Sequence, residues 1–195
     1  MGRMICLMGK SSSGKDTIYR ELMKDEALGL RTVVPYTTRP IRTGETDGVD
    51  YHFTDEDGFQ SLAAAGRIIE ARAYHTIHGL WRYFTVADDS IALDKYDYCV
   101  IGTLEAYMQI REYFGKDKVL PIYIEIDDGE RLQRALSRER KQKDPKYEEL
   151  CRRFLADCQD FSEEKITAAG IRVRFQNENL QSCLKNIKEY LLTET

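Results

Sequence analysis

Gly9-Lys10-Ser11-Ser12-Ser13-Gly14-Lys15-Asp16-Thr17 follows directly on the apolar run Met4–Met8. The chemistry this spacing offers is phosphate binding. A strand feeds a loop bounded by Gly9 and Gly14, and a helix-compatible stretch over 17–24 comes next. Such a loop turns the N–H groups of Ser11, Ser12 and Ser13 inward. The helix N-terminus adds partial positive charge, and Lys15 reaches the outer phosphates. The expected ligand is a nucleoside triphosphate. Asp16 stands where Ser or Thr normally offers a hydroxyl to Mg²⁺. Its carboxylate either ligates the metal, directly or through water, or only caps the helix. Thr17 is the next available hydroxyl.

A loop of this kind needs a scaffold, and the rest of the chain supplies one. Apolar strand-like runs at 4–8, 32–34, 98–101, 120–126 and 172–175 alternate with helical patterns at 17–24, 104–114, 129–140, 147–169 and 180–192. That alternation predicts an α/β fold, a parallel sheet with helices on both faces. Gly115 and Gly170 fall where helix C-caps would. Two stretches interrupt it. Residues 35–84 are polar and rich in Arg and Tyr, and 138–145 is densely charged. Both read as insertions at the binding edge of the sheet.

Composition narrows the class. The 195 residues suit one compact domain, and 42% hydrophobic with 32% charged residues allow a buried core under a solvated surface. A net charge of −4 argues against broad nucleic-acid binding. No stretch is long and apolar enough to cross a bilayer. The first strand begins almost at once, which leaves no room for a signal peptide. Five cysteines, Cys6, Cys99, Cys151, Cys158 and Cys183, form no C-x-x-C pair and cannot all pair within one chain. Reduced thiols and a cytoplasmic location are therefore expected.

A second motif concerns the acceptor. Thr37-Thr38-Arg39-Pro40-Ile41-Arg42-Thr43-Gly44-Glu45 is followed by Gly48, Tyr51 and Phe53. This segment resembles the acceptor-binding motif of the guanylate kinase family, with Pro40 one residue early. Ile68-Ile69-Glu70, Tyr83-Phe84-Thr85, Leu150 to Phe154 and Asn177-Glu178-Asn179-Leu180 are similar to further family motifs in the expected order. The resemblance implies a P-loop NTPase-type sheet carrying an inserted acceptor-binding subdomain and a helical lid. The whole chain, 1–195, is then one domain. Its core is 1–34, 86–126 and 154–195, its acceptor region 35–85, and its lid 127–153.

The resemblance also implies roles. ATP would lie on Gly9, Ser11, Ser12, Ser13, Gly14, Lys15, Asp16 and Thr17, with Asn177 beside the adenine. Lys15, Arg138 and Arg153 would be catalytic, the two arginines clamping the transferring group, with Arg140 and Arg152 nearby. Arg39, Arg42, Glu45, Tyr51 and Tyr83 would form the acceptor-phosphate side. Planar guanidiniums suit a dianionic phosphate, and tyrosine hydroxyls add donors. Glu70 would accept from the N1–H and N2 amine of guanine, and Thr85 would sit near O6. The implied reaction moves the γ-phosphoryl group of ATP to GMP or dGMP with Mg²⁺, for which Asp16 is the candidate ligand if it is not only a cap.

Three features depart from the family pattern. Pro35 replaces a serine, and the strand ending Cys99-Val100-Ile101-Gly102-Thr103 lacks an Asp-x-Asp. Extra residues between Glu70 and Tyr83 bring His75, His78 and Trp81. The two histidines read as a loop contact rather than a metal site. These departures keep open a kinase of another phosphorylated acceptor, such as ribose 1,5-bisphosphate. A non-catalytic interaction module of the same fold is the remaining alternative, and Gly9, Gly14 and Lys15 argue against it.

Overall fold

The computed structural model describes residues 2–76 and 79–193. In chain order the first half comprises β1 (Met4–Met8), α1 (Lys15–Met23), β2 (Arg31–Thr32), β3 (Tyr36–Thr37), β4 (His52–Phe53), α2 (Glu56–Ala64), β5 (Ile68–Thr76) and β6 (Gly79–Val86). The second half comprises β7 (Tyr98–Ile101), α3 (Leu104–Phe114), β8 (Val119–Glu125), α4 (Asp128–Glu139), α5 (Tyr147–Asp160), α6 (Glu163–Ala168), β9 (Arg174–Gln176) and α7 (Leu180–Thr193).

Five strands form a parallel sheet in the order β2-β7-β1-β8-β9. β1 is buried at every position. Its alternation sorts the core: Met4, Cys6 and Met8 join one apolar cluster, while Ile5 and Leu7 join the other. A strand covered by helices on both faces has no solvent side, so its sequence is an unbroken apolar run. The first cluster packs Tyr107 and Ile110 of α3 and Ile166 of α6 on the sheet. The second packs Ile18 and Leu22 of α1 against Leu184 and Ile187 of α7. Cys6, Cys99 and Cys183 are small members of these clusters, and burial pushes their thiols up, Cys99 to about 12 and Cys183 to about 11. They stay protonated and unreactive at neutral pH.

A second sheet, in the order β4-β3-β6-β5, projects from the first. β5 and β6 form its long antiparallel hairpin, with Glu70 opposite Thr85 and Arg72 opposite Tyr83. Its small core is Phe59, Phe84 and Val86.

The stretch 147–169, expected as one helix, is two. Phe161 ends α5, and Ser162 starts α6 by accepting from the Lys165 N–H at 3.4 Å. The break turns Phe161 into the core, where its ring stacks 5.6 Å from Tyr123. No helix among the described residues is long and apolar enough to cross a membrane.

Candidate active site

The phosphate loop leaves the C-terminal end of β1, the central strand of the parallel sheet, where open α/β folds bind ligands. Its two glycines are required sterically. A Cβ at Gly9 would stand 2.6 Å from the Ile124 carbonyl oxygen, and one at Gly14, where φ is +91°, would stand 2.3 Å from Asn177 Nδ2. Ser12 also adopts a left-handed backbone, φ 64°. Alternating conformations of this kind curl successive amides into an anion-binding nest. Asn177 braces the loop: it is buried, and its Nδ2 donates to the Ser13 carbonyl oxygen at 2.7 Å. Arg134 donates to the Asn177 carbonyl oxygen at 3.1 Å.

Gly14 is the N-cap of α1, and no side chain caps that helix. Its first-turn amides are open to an anion, with Lys15 at its first position. The capping alternative for Asp16 is thereby excluded. Asp16 sits inside the first turn and is exposed, lining the cavity that runs toward Glu70.

Arg138 on α4 and Arg153 on α5 converge on the loop. Arg138 Nη2 donates to Ser12 Oγ at 3.3 Å, and Arg153 Nη2 donates to Ser11 Oγ at 3.2 Å. The four residues border a cavity of about 200 Å³. Arg152, by contrast, pairs with Glu149 on an exposed helical face. Beneath the cavity lies a network that motif reading misses. Arg131 is 1% exposed, bonds to Asp128 and Asp157, and lies 3.9 Å over the Phe154 ring. Asp157 in turn accepts the Ser11 N–H at 2.8 Å. These partners come from three separate segments, so no local spacing announces them.

Of the residues expected on the acceptor side, Tyr51, Glu70, Tyr83 and Thr85 share a cavity of about 440 Å³ with Asp16. Glu70 is 2% exposed, and Thr85 Oγ1 donates to it at 2.9 Å. Tyr51 and Tyr83 meet edge to face at 5.7 Å. Arg39 is buried beside them, its guanidinium 4.9 Å from the centre of the Tyr51 ring. Glu45 grips Arg39 through two bonds of 2.7 and 2.6 Å and also accepts the Arg42 N–H at 2.8 Å. These bonds hold its carboxyl down at about 2, the Arg39 guanidinium being the larger cause. Arg39 Nε is a buried donor with no partner among the described residues. A buried donor of this kind is satisfied by a water, an ion or a ligand acceptor. Arg42 is placed differently: it is exposed, with its guanidinium 6.0 Å from the Trp81 ring centre.

Among the described residues no three metal-ligating side chains converge. Mg²⁺ binds through one or two carboxylates plus phosphates and keeps several waters. Asp16, uncommitted to capping and open to the cavity, fits that role with Thr17 beside it. His75 is exposed on β5, and His78 lies outside the described residues.

Comparison with known proteins bears on the family. The family model described as guanylate kinase matches residues 1–194. The chain is 44% identical over 79 residues to the guanylate kinase of Rhodopseudomonas palustris (strain HaA2), covering 40% of this chain and 36% of that one. It is 41% identical over 87 residues to the guanylate kinase of Mycobacterium tuberculosis, covering 45% of this chain and 40% of the relative. The matched segments thus span about two fifths of these relatives' length. The crystal structure of guanylate kinase from Anaplasma phagocytophilum superposes with a TM-score of 0.65 at 21% identity, over 99% of this chain and 86% of that chain. That likeness shows the fold. With a family match along nearly the whole sequence, the chain belongs to the guanylate kinase family.

Proposed function

We propose that this chain is an ATP-dependent nucleoside monophosphate kinase that phosphorylates GMP or dGMP, giving the diphosphate and ADP. One observation carries the reading: a single cavity runs from Asp16, in the first turn after the phosphate loop, to the buried Glu70–Thr85 pair. A donor phosphate and an acceptor base can therefore occupy the two ends of one site.

Phosphoryl transfer needs positioning and neutralisation of charge more than covalent chemistry. The loop amides and Lys15 hold the triphosphate. Arg138 and Arg153 offset the charge that gathers on the transferred group, a role supported by their contacts with Ser12 and Ser11 of the loop. Arg39, with Tyr51 and Tyr83, receives the acceptor phosphate, and Glu70 reads the base. Mg²⁺, when bound through Asp16, supplies further neutralisation of the β- and γ-phosphates. Closure of the lid, 127–153, and the acceptor region, 35–85, excludes water while the sheet stays fixed. The five free cysteines and the demand for ATP suit the cytoplasm. Coupled-assay turnover with ATP against GMP, dGMP, AMP, UMP and ribose 1,5-bisphosphate tests the reading. GMP or dGMP should give the highest kcat/KM, and activity confined to ribose 1,5-bisphosphate would overturn it.

A further inference from the structure

Glu70 does not face the acceptor cavity alone. Arg72, two positions along β5, is on the same face of the strand and lines the same cavity. Its Nε donates to Glu70 Oε2 at 3.0 Å, and its Nη2 donates to Oε1 at 3.3 Å. Oε1 also accepts from Thr85. A carboxylate has about four acceptor sites, so these three bonds leave roughly one for a ligand. Both arginine bonds use the Nε and Nη2 flank of the guanidinium, with Tyr74 beside the group. Tyr74 hydrogen-bonds the same guanidinium, and the Glu70 bonds leave the Nη1 donors unused. Thr85 stands opposite Glu70 and Tyr83 opposite Arg72, and the cavity they share is lined by the apolar Val34, Pro35, Ile101 and Ala106 as well as by Asp16, Asp50 and Tyr51. Arg72 is the sole cationic side chain among the described residues lining this cavity.

At the Glu70–Arg72 pair itself, the surface is one free acceptor site beside guanidinium donors. Its complement is one N–H beside a carbonyl oxygen, the lactam edge of a 6-oxopurine. N1–H would go to Glu70, and O6, with N7 next to it, would go to Arg72, the fork geometry that arginine favours on this edge. Adenine inverts the pattern: its 6-amino group would face the guanidinium and its bare N1 the carboxylate. The 2-amino group of guanine would need a second free lone pair on Glu70, which Arg72 and Thr85 already occupy.

We propose that Arg72 is a specificity-determining residue that donates to O6 of the acceptor base. The acceptor class is then the 6-oxopurine monophosphates, with IMP used alongside GMP. This rests on the reading of the chain as a purine monophosphate kinase.

The test is initial-rate kinetics with ATP and Mg²⁺, using GMP and IMP as acceptors, on wild type, Arg72→Met and Arg72→Lys. Wild-type kcat/KM for IMP should lie within about tenfold of that for GMP. Arg72→Met should lower kcat/KM for IMP by about 10- to 100-fold, the factor a good arginine–base contact carries. GMP should lose less, because the freed lone pairs of Glu70 now take its 2-amino group. The GMP:IMP preference therefore rises, and Arg72→Lys should fall between the two. Equal losses with both acceptors would reduce Arg72 to a support for Glu70, and unchanged rates would remove it from the site. A wild type that uses GMP but takes IMP more than 100-fold less well would also overturn the proposal, leaving the kinase reading intact. No turnover of any purine monophosphate by folded wild type would overturn that reading itself. If Arg72→Met does not fold, the rise in GMP:IMP preference must appear in Arg72→Lys.

Discussion

The Asp157 carboxylate accepts the backbone N–H of Ser11 at 2.8 Å and bonds to the buried Arg131 guanidinium at 3.2 Å. One side chain of α5 thus fixes both the phosphate loop and the arginine that joins α4 to α5. Asp157→Ala leaves Arg131 with Asp128 as its remaining carboxylate partner and a loop amide without its acceptor. A charged hydrogen bond lost at a half-buried site costs about 1.5–3 kcal/mol. Urea denaturation should show that loss, together with a raised KM for ATP. Asp157→Asn keeps the acceptor oxygen for Ser11 and should lose less.

Lys15 opens α1 with no competing side-chain cap at that helix end. Its contact with the outer phosphates should strengthen as charge moves in the transition state. Lys15→Ala should lower kcat by about 10² or more, roughly 3 kcal/mol, with thermal stability unchanged. Near-wild-type turnover in the folded variant would sink the assignment of the loop.

Arg39 and Arg42, equivalent by motif, separate by environment. Arg39 is buried, with an orphan Nε, whereas Arg42 is exposed near Trp81. Arg39→Ala should raise acceptor KM and lower kcat more than Arg42→Ala does, and neither should change ATP affinity in a calorimetric titration. Equal loss of ATP binding would move the acceptor phosphate elsewhere.

The Glu45 carboxyl, ordinarily near 4.5, is held at about 2 in the folded chain by Arg39 and then by the Arg42 N–H. A group whose folded value is depressed stabilises the fold above its unfolded value, and that contribution disappears as pH falls through the folded one. Between pH 4.5 and about 2, wild type should therefore lose stability more steeply than Glu45→Gln. Chemical denaturation at a series of pH values measures this difference, and parallel curves would count against it.

How much of this was legible in the residues follows from how local each signal is. β1, the glycine loop and α1 could be read because strand, loop and helix are contiguous and each is specified by its own residue types. The alternation of runs gave the parallel sheet, with strand ends shifted by one or two residues. The break at Phe161 went unread, although Ser162 with Glu163 and Glu164 behind it is a helix-start signal. The apolar periodicity running through it hid the cap. Arg131, Asp157 and Arg72 gave no warning. Each is a charged residue in a segment where charge is ordinarily solvated, and its role comes from partners that only the fold supplies. For Arg72, the i, i+2 relation to Glu70 becomes meaningful once that stretch is known to be a strand facing a cavity.

Asp16 provides the last prediction. Two roles were open for it, metal ligand or helix cap, and the structure removes the second because α1 has no side-chain cap. What remains to the fold is the favourable placement of a negative charge in a first helical turn, worth about 0.3–1 kcal/mol at an exposed site. Asp16→Asn should therefore cost little stability. As a ligand, the carboxylate offsets metal charge in a site otherwise made of phosphates and water. Its removal should raise the Mg²⁺ concentration at half-maximal rate while acceptor KM holds. Asp16→Ser restores a neutral hydroxyl ligand and should shift the preference between Mg²⁺ and Mn²⁺. A Mg²⁺ titration at saturating ATP and acceptor separates these outcomes. If both variants track wild type across it, Asp16 does not reach the metal, and the Thr17 hydroxyl becomes the ligand to test next.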